Sequence, residues 1–365
     1  MMKYLLAICF VLWLSFTPQL AAPLAAAAMT VWTQPVAYKV QPTTQPGAGN
    51  AISLQGARGA YEAYQIVVTA NGVTLAGVNV AASNLSDDAG HTLAAANATF
   101  FRETFIDFTG VVADGGTLPV PANSPTQDGR IPDPLVPFVD PYTGNPAGAP
   151  FSVASGNNQP VWMDLFIPAN TTAGVYTGSV TVTATGQSPV SVPVTLTVWD
   201  FVLPDMRGVT TYYQMHTDGV INFHSGTYAC SGSSCWLDWN ARSRTIVKRY
   251  EELAHAHRID TGENFVPDPG NGCAPPSDWS QYDAAMQPYM DGTYWSDGVP
   301  SSRLNAPFTP GATWGLEANC TQAQYTALAA AWATHLKSKG WFNSAIVFSL
   351  DEPDPTSFPA IALNS

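Results

Sequence analysis

The alternation of apolar and polar positions in the first half of the chain predicts β-strands. In residues 161–167, 176–183 and 190–198, apolar side chains recur at every second position. A period of two places one face of each strand in a core and the other towards solvent. Turns rich in Pro, Asn and Gly separate these strands, so we expect successive strands to be antiparallel neighbours in a β-sandwich. The expected core residues are Val161, Met163, Leu165, Ile167, Tyr176, Val180, Val182, Val190, Val192, Val194, Leu196 and Val198.

Earlier segments at 61–70, 77–82 and 99–108 supply further strands of this first domain. Pro193 lies on the polar face of the last strand, and because proline lacks a backbone donor it predicts an edge or a bulge there. Residues 115–160 are rich in Pro, Gly and Asn and show no sustained period, which predicts a long, irregular but ordered loop.

We place a domain boundary near residues 204–208, which gives a β-sandwich at 30–204 and a second domain at 208–365. Strands alternate with helices in the second domain, an order that predicts parallel pairing with right-handed crossovers. The predicted elements are a strand at 209–215, a helix at 240–257 with Ile246, Tyr250 and Leu253 on one face, a strand at 258–265, a long loop, a helix and a strand. No internal repeat of fixed period is present, which disfavours a solenoid or a propeller.

The last helix and strand are the best marked elements of this domain. Thr321 and Gln324 have the form of a capping box, and Gly340 fits the residue after the helix end. Residues 345–350 are apolar enough for a strand that is buried on both faces. This strand ends on Asp351 and Glu352, where side chains of parallel strands reach a shared cavity.

Neighbouring residues on a strand face opposite ways, so Asp351 and Glu352 can reach one substrate only if the strand has ended. Pro353 favours such a break. A general acid that works near neutral pH needs a raised pKa, and burial beside a second carboxylate provides it. The alternative is an acidic surface turn, which ends many strands.

Weaker site candidates lie near the same strand ends. Tyr213, His216 and Asn264 follow or occupy the first two predicted strands and are candidates for contacts to hydroxyl groups of a ligand, which would be sugar hydroxyls if the family resemblance given below holds. Trp295 lies in a loop and is a candidate for stacking on a ring of the same ligand. Packing or a satisfied loop hydrogen bond is the alternative interpretation for each of them.

The N-terminus has the pattern of a secretory signal peptide, which we place at residues 1–28. Lys3 precedes a short apolar run at 4–16 and an alanine-rich stretch at 21–28, and the run is shorter than the roughly 20 residues of a membrane span. We therefore expect a protein that is secreted, periplasmic or on the cell surface, with no membrane segment after cleavage.

Four cysteines remain after removal of the signal, and an even number in an exported protein indicates disulfides. We favour pairing Cys230 with Cys235 and Cys273 with Cys320, although three pairings are open. A zinc site competes with this interpretation, but the spacing gives it little support because no Cys-x-x-Cys is present. We predict no metal.

Composition limits the partners. The chain has 14 basic and 27 acidic residues and a formal net charge of −13, which disfavours nucleic acid and anionic membranes. Low charge with 11 tryptophans and 14 tyrosines is typical of extracellular proteins that handle carbohydrate. No phosphate-binding loop, Gly-x-Ser-x-Gly or His-Glu-x-x-His motif is present, and we predict no cofactor.

Several segments resemble glycoside hydrolase family 123. They are residues 131–137, 161–168, 173–178, 194–204 and 341–353; among them is Val194-Thr-Leu-Thr-Val-Trp-Asp-Phe-Val-Leu-Pro204, and together they are fairly specific. The resemblance implies an N-terminal antiparallel β-sandwich followed by a (β/α)8 (TIM-type) barrel. It also implies a β-N-acetylgalactosaminidase that acts on terminal sugars by a retaining, substrate-assisted route.

By this resemblance Glu352 is the general acid and then the base, and Asp351 orients the 2-acetamido group of the substrate. The segment 208–365 is shorter than the roughly 200 residues of a complete barrel, so we expect an incomplete barrel in a truncated chain whose activity is in doubt. Two non-enzymatic alternatives stay open, an exported glycan-binding β-sandwich protein and a surface structural protein.

Overall fold

The computed structural model describes residues 28–107, 130–204, 211, 213, 215, 217–225, 241–261, 266, 269–270, 272–306 and 320–346. The chain divides into two compact units, Met1–Leu203 and Pro204–Ser365. Each unit is described separately.

The first unit is built from β-strands, of which the described residues contain twelve. They are β1 (Met29–Gln34), β2 (Ile52–Arg58), β3 (Tyr61–Ala70), β4 (Leu75–Ala82), β5 (Leu85–Ser86), β6 (Thr92–Leu93), β7 (Ala98–Asp107), β8 (Arg130–Pro137), β9 (Phe151–Val153), β10 (Asn158–Phe166), β11 (Gly174–Thr183) and β12 (Val190–Val202).

These strands form two sheets that share one core. One sheet has the order β1-β3-β10-β7-β8, and the other has the order β2-β12-β11-β4-β9 with β5 and β6 attached to β11. All pairs are antiparallel except β2 with β12. A single apolar cluster contains residues of both sheets, including Ile66 and Met163 from the first and Val180 and Leu196 from the second. The predicted β-sandwich is therefore present.

The predicted burial of the three marked strands is confirmed, but their expected pairing is only half correct. Alternate residues of β10, β11 and β12 are buried, and β11 pairs with β12. The expectation that β10 lies beside β11 is wrong, because β10 pairs with β3 and β7 in the opposite sheet. Alternation predicts which face of a strand is buried. It does not predict the sheet to which the strand belongs, because both sheets bury one face against the same core.

Proline marks the edges of these sheets. Pro193 is exposed, and β2 begins to pair with β12 only at Val194, so β12 has β11 as its neighbour at Pro193. This agrees with the predicted edge.

The segment expected to be an irregular loop contains strands β8 and β9. β8 was not predicted because it contains three prolines, which are rare in strands but are tolerated in an edge strand such as β8.

A buried carboxyl group lies in the first unit, at Glu103 on β7. This side chain is 3% exposed, and its Oε1 atom has no hydrogen-bond partner within the described part of the chain. Burial raises the pKa of Glu103 to about 7, against a smaller opposing effect of Lys39. Between about pH 4.5 and pH 7, Glu103 is therefore mostly protonated in the folded state and mostly ionised in an unfolded chain.

The sandwich should therefore lose stability as the pH rises from about 4.5 to about 7.5, by up to about 3 kcal/mol from this residue alone. We predict that Glu103→Gln, which cannot ionise, flattens this pH dependence. Hydrogen exchange of the β7 and β8 amides at pH 5 and pH 8 measures it. Substitution of the exposed Asp88 by Asn is the control, and a Glu103→Gln variant with the parent's pH dependence would contradict the assignment.

The second unit mixes helices with short parallel strands. The described helices are α1 (Thr217–Ser225), α2 (Ala241–Ala256), α3 (Ser280–Asp291) and α4 (Gln322–Lys339), and the strands are β13 (Leu304–Asn305) and β14 (Ala345–Ile346). β13 is parallel to β14, and Tyr213 forms a parallel bridge with Thr261. The predicted alternation of helix and parallel strand is present, but the four described helices are too few to show a complete (β/α)8 barrel.

Helices α1 and α3 and strand β13 fall in segments that the sequence indicated to be loops. α3 lacks local signals, because the residue at its start is Trp279, which makes no side-chain capping bond, and because Pro288 lies inside it. Within the described segments, no helix has the length and apolar character needed to cross a membrane.

A disulfide joins Cys273 to Cys320 across 47 residues, so this predicted pairing is confirmed. Cys230 and Cys235 lie outside the described residues, and their pairing stays a prediction.

Candidate active site

Four short chain segments of the second unit form two parallel pairs. Tyr213 bridges to Thr261, and β13 pairs with β14. The second and third segments are linked at their amino ends, where Arg303 Nη2 donates to the carbonyl oxygen of Asp260 over 3.1 Å. Within each pair, the two segments run in the same direction, so their carboxyl ends lie at the same edge of that pair.

Asp260 is the centre of the polar contacts at these amino ends. Its backbone N–H donates to Thr211 Oγ1 over 2.9 Å, and its carboxylate accepts a hydrogen bond from the Ser302 hydroxyl. Asp260 and Arg303 are both buried. In parallel barrels, polar contacts at the amino ends of strands support stability, and the opposite face carries the chemistry.

The last helix and strand form as predicted and bring the chain to the acid pair. The capping box between Thr321 and Gln324 is complete, and Gly340 follows α4 with a φ of 76°, a left-handed conformation that glycine adopts readily. A short 3₁₀ turn at Phe342–Ser344 then leads into β14. Strand β14 begins at Ala345, where the strand was predicted to begin.

The main predicted site residues lie outside the described part of the chain. Asp351 and Glu352 follow β14 by five and six residues, and His216 and Asn264 each follow a described parallel segment by three. Every one of them lies on the carboxyl-terminal side of its segment in the sequence. Their roles stay predictions.

Tyr213 and Trp295 are described and occupy contrasting environments. Tyr213 lies in the first parallel segment and is 68% exposed. Trp295 is buried in the apolar core of this unit. Its indole lies flat on the His255 ring, with centroids 4.0 Å apart, and its Nε1 donates to Ser301 Oγ over 3.2 Å. The proposed sugar contacts of both residues stay predictions.

The sequence did not identify a buried carboxyl group at Glu251 on α2. Glu251 is 1% exposed. The Tyr294 hydroxyl donates to its Oε2 over 2.5 Å, and the Tyr289 hydroxyl lies 3.2 Å from both carboxylate oxygens. Burial raises the pKa of Glu251 to about 7, although both tyrosines act to lower it. A carboxyl group with such a pKa can hold or release a proton near neutral pH.

This group was missed because the predicted buried face of α2 is wrong. Tyr250 and Leu253, which we expected to face the core, are exposed, and Val247, Glu251 and His255 are buried instead. The buried residues are spaced four apart, so the predicted helical period is correct. The predicted apolar inner face is wrong, because two of the three buried residues are polar. Each buried polar residue has a partner, and for His255 this partner is Asp297 at 3.1 Å.

The histidines and cysteines do not assemble a metal site within the described segments. No group of three or more His, Cys, Asp or Glu side chains there is arranged to hold a metal ion. His255 is buried and His257 is exposed, so the two side chains face different ways. Cys273 is held in its disulfide.

Most of the first unit is similar to a known family domain. Residues 35–184 match the model of the glycoside hydrolase 123 N-terminal domain. A search of curated protein sequences finds no significant match to this chain.

Comparison with solved structures extends the likeness to the second unit. The fold is similar to that of a family 123 glycoside hydrolase from Clostridium perfringens, studied for glycolipid glycan hydrolysis, with a TM-score of 0.58, 14% identity and coverage of 92% of this chain. This chain spans 60% of the length of that enzyme. A PapD-like domain of human CEP192 matches 53% of this chain and 99% of its own, at 10% identity and a TM-score of 0.25, which is too low to support an inference.

The contact between Tyr294 and Glu251 generates a test of the buried carboxyl group. We predict that Tyr294→Phe destabilises the second unit by about 2 kcal/mol at pH 8 and by less at pH 5, because a hydrogen bond to a charged acceptor is worth more than one to a neutral acceptor. Hydrogen exchange of the α2 and α3 amides measures the effect. Tyr38→Phe, in the first unit, is the control. An equal loss at both pH values would show that Glu251 keeps one protonation state.

Proposed function

We propose that this chain, which matches the glycoside hydrolase 123 N-terminal domain over residues 35–184 and is similar in fold to a family 123 enzyme, hydrolyses terminal β-linked N-acetylgalactosamine, or another 2-acetamido sugar, with retention of configuration. The observation that carries this proposal is the extent of the fold match. It covers 92% of this chain and so includes the second unit as well as the sandwich. Glycan hydrolysis is transferred from the Clostridium enzyme as part of the proposal.

The proposed site lies at the carboxyl edge of a (β/α)-type barrel. The parallel direction of β13 and β14 supports this placement, because Asp351 and Glu352 follow β14 in the direction of its carboxyl end. Barrel enzymes carry their catalytic residues at that face. The acid pair lies outside the described residues, and its geometry belongs to the proposal.

In the first proposed step, Glu352 donates its proton to the glycosidic oxygen as the bond from that oxygen to C1 breaks. The carbonyl oxygen of the substrate's own 2-acetamido group attacks C1 and forms a cyclic oxazolinium ion. Asp351 orients the acetamido group and stabilises its positive charge through the N–H. No carboxylate of the enzyme bonds to the sugar, which distinguishes this route from that of most retaining glycosidases.

In the second step, the Glu352 carboxylate takes a proton from water. The resulting hydroxide bonds to C1 as the bond from C1 to the acetamido oxygen breaks. The oxazolinium ring opens, and the acetamido group is restored. Glu352 regains its proton, so the enzyme returns to its starting state. Two displacements at C1 retain the configuration of the sugar.

We also propose that the protein works outside the cytoplasm. The signal-like pattern of residues 1–28 and the Cys273–Cys320 disulfide support this, because disulfides persist in oxidising compartments.

Glu352→Gln provides the test of the proposed general acid. With 4-nitrophenyl N-acetyl-β-galactosaminide as the substrate, we expect kcat to fall by on the order of 10²- to 10⁴-fold. The loss in kcat/KM should be much smaller with a 2,4-dinitrophenyl glycoside, because kcat/KM reports the first step and that leaving group departs without protonation; kcat should still fall, because the second step lacks its base. Glu252→Gln is the matched control on α2 and should retain the parent rate.

Two results would contradict the proposal. One is a Glu352→Gln variant that keeps the parent rate on both substrates. The other is a parent chain that releases no product from any 2-acetamido glycoside.

A further inference from the structure

The outer face of the five-stranded sheet carries a row of aromatic side chains along its central strand, β10. Residues 161, 163 and 165 of β10 are buried in the core, so the residues that alternate with them lie on the opposite face. These residues are Trp162, Asp164 and Phe166.

Neighbouring strands add two aromatic rings to this row. Trp162 lies opposite Phe101 of β7, and Phe166 lies opposite Tyr61 of β3. The Tyr61 and Phe166 rings are in contact, with centroids 4.8 Å apart. We call Tyr61, Phe101, Trp162, Asp164 and Phe166 the aromatic strip. All five are partly exposed, and Tyr61 is 46% exposed.

The polar groups of the strip are already ordered. The Trp162 indole Nε1 donates to Asp164 Oδ1 over 2.6 Å, which fixes the plane of the indole. Burial, and after it the charge of Asp164, raises the pKa of Tyr61, so the phenol and the carboxylate are close together. A ligand would meet rings and an acceptor whose positions are set before binding, which reduces the entropy lost on association.

The chain covers the neighbouring part of this sheet face but leaves the strip accessible. Trp32, Val40 and Val67 form a separate buried cluster on the β1 side of the sheet. Gln65 Nε2 donates to the carbonyl oxygens of Pro35 and Tyr38 and so holds the covering loop. Gln65 is paired with Trp162, and the strip lies on the side of Gln65 away from the cluster of Trp32, Val40 and Val67.

The composition of the strip points to a neutral ligand. It contains no Lys or Arg, its one charged residue is Asp164, and the chain has a net charge of −13, so anionic ligands are disfavoured. Aromatic faces accept the C–H groups of a pyranose ring, and a carboxylate accepts hydrogen bonds from its hydroxyls. From Trp162 to Phe166 the strip extends about 13 Å, which is longer than one sugar ring. A stable protein interface buries about 800 Å² per partner. The five partly exposed side chains of the strip supply less area than this, so the strip fits a glycan better than a protein partner.

We propose that the aromatic strip of the β-sandwich is a second carbohydrate-binding surface that holds a neutral glycan chain, separate from the site of hydrolysis. The choice of ligand rests on the proposed function, since an enzyme acting on glycans gains from a surface that retains them. The binding itself does not require hydrolysis.

The test measures binding of the full-length chain in the Glu352→Gln background, so that a bound glycan is not cleaved. The probes are polyacrylamide conjugates of β-N-acetylgalactosamine, β-galactose and β-glucose, with unmodified polyacrylamide as the blank. We expect Trp162→Ala and Tyr61→Ala each to weaken binding at least tenfold for the conjugate that binds best. Trp199→Ala is the matched control, because Trp199 is 41% exposed on β12 of the other sheet, and it should bind as the background protein does.

Thermal unfolding of each variant shows whether it folds, and Tyr61→Ala decides the outcome if Trp162→Ala does not fold. Absence of binding to every conjugate, undiminished binding by a folded strip variant, or an equal loss in Trp199→Ala would each overturn the proposal. Altered unfolding of residues 204–365 with unchanged binding would identify the strip as an interdomain contact and would also overturn it. Failure of hydrolysis alone would leave the binding result intact, so the two proposals fail separately.

Discussion

The parallel pairing of short segments in the second unit is the constraint on which the functional account depends. The amino ends of the second and third segments are held together at Asp260, whose carbonyl oxygen and carboxylate accept hydrogen bonds from Arg303 and Ser302. Asp260 and Arg303 are buried, and losing a buried hydrogen-bond partner is costly in a low-dielectric interior. β13 and β14 are parallel, so their carboxyl ends lie at the same edge, and the proposed acid pair follows β14 in the sequence.

Two carboxyl groups in the described residues keep their protons to an unusually high pH, and neither belongs to the proposed catalytic pair. Glu103 and Glu251 both have pKa values of about 7, with burial as the largest cause. They differ in their surroundings, because Glu251 accepts hydrogen bonds from two tyrosines and the Oε1 atom of Glu103 accepts none within the described part of the chain. A raised pKa by itself therefore does not identify a catalytic acid in this protein. The position of a group relative to the strand ends is the better guide.

Local signals predicted the elements that local interactions define. The capping box and Gly340 bound α4 correctly because those contacts lie within a few residues of each helix end, and alternation gave the buried faces of β10, β11 and β12. Long-range choices were not accessible in this way. The sequence did not show that β10 and β11 belong to different sheets, since both bury one face against the same core. The sequence also did not predict the inner face of α2. Burial of Glu251 and His255 is favourable only because they form hydrogen bonds with Tyr294 and Asp297, and these partners are more than 40 residues away in the chain. For the candidate site, the sequence supplied the residues, and the described structure supplies the parallel pairing of Tyr213 with Thr261 and of β13 with β14.

The most direct test of the central claim is a crystal structure of the protein bound to the thiazoline analogue of N-acetylgalactosamine, which imitates the proposed cyclic intermediate. The account predicts that the ligand lies at the carboxyl ends of the parallel strands. It further predicts the Asp351 carboxylate within hydrogen-bond distance of the thiazoline nitrogen and the Glu352 carboxylate beside C1 on the face from which the leaving group departs. Asp351 and Glu352 on an outward-facing turn, with the ligand absent or bound elsewhere, would contradict it.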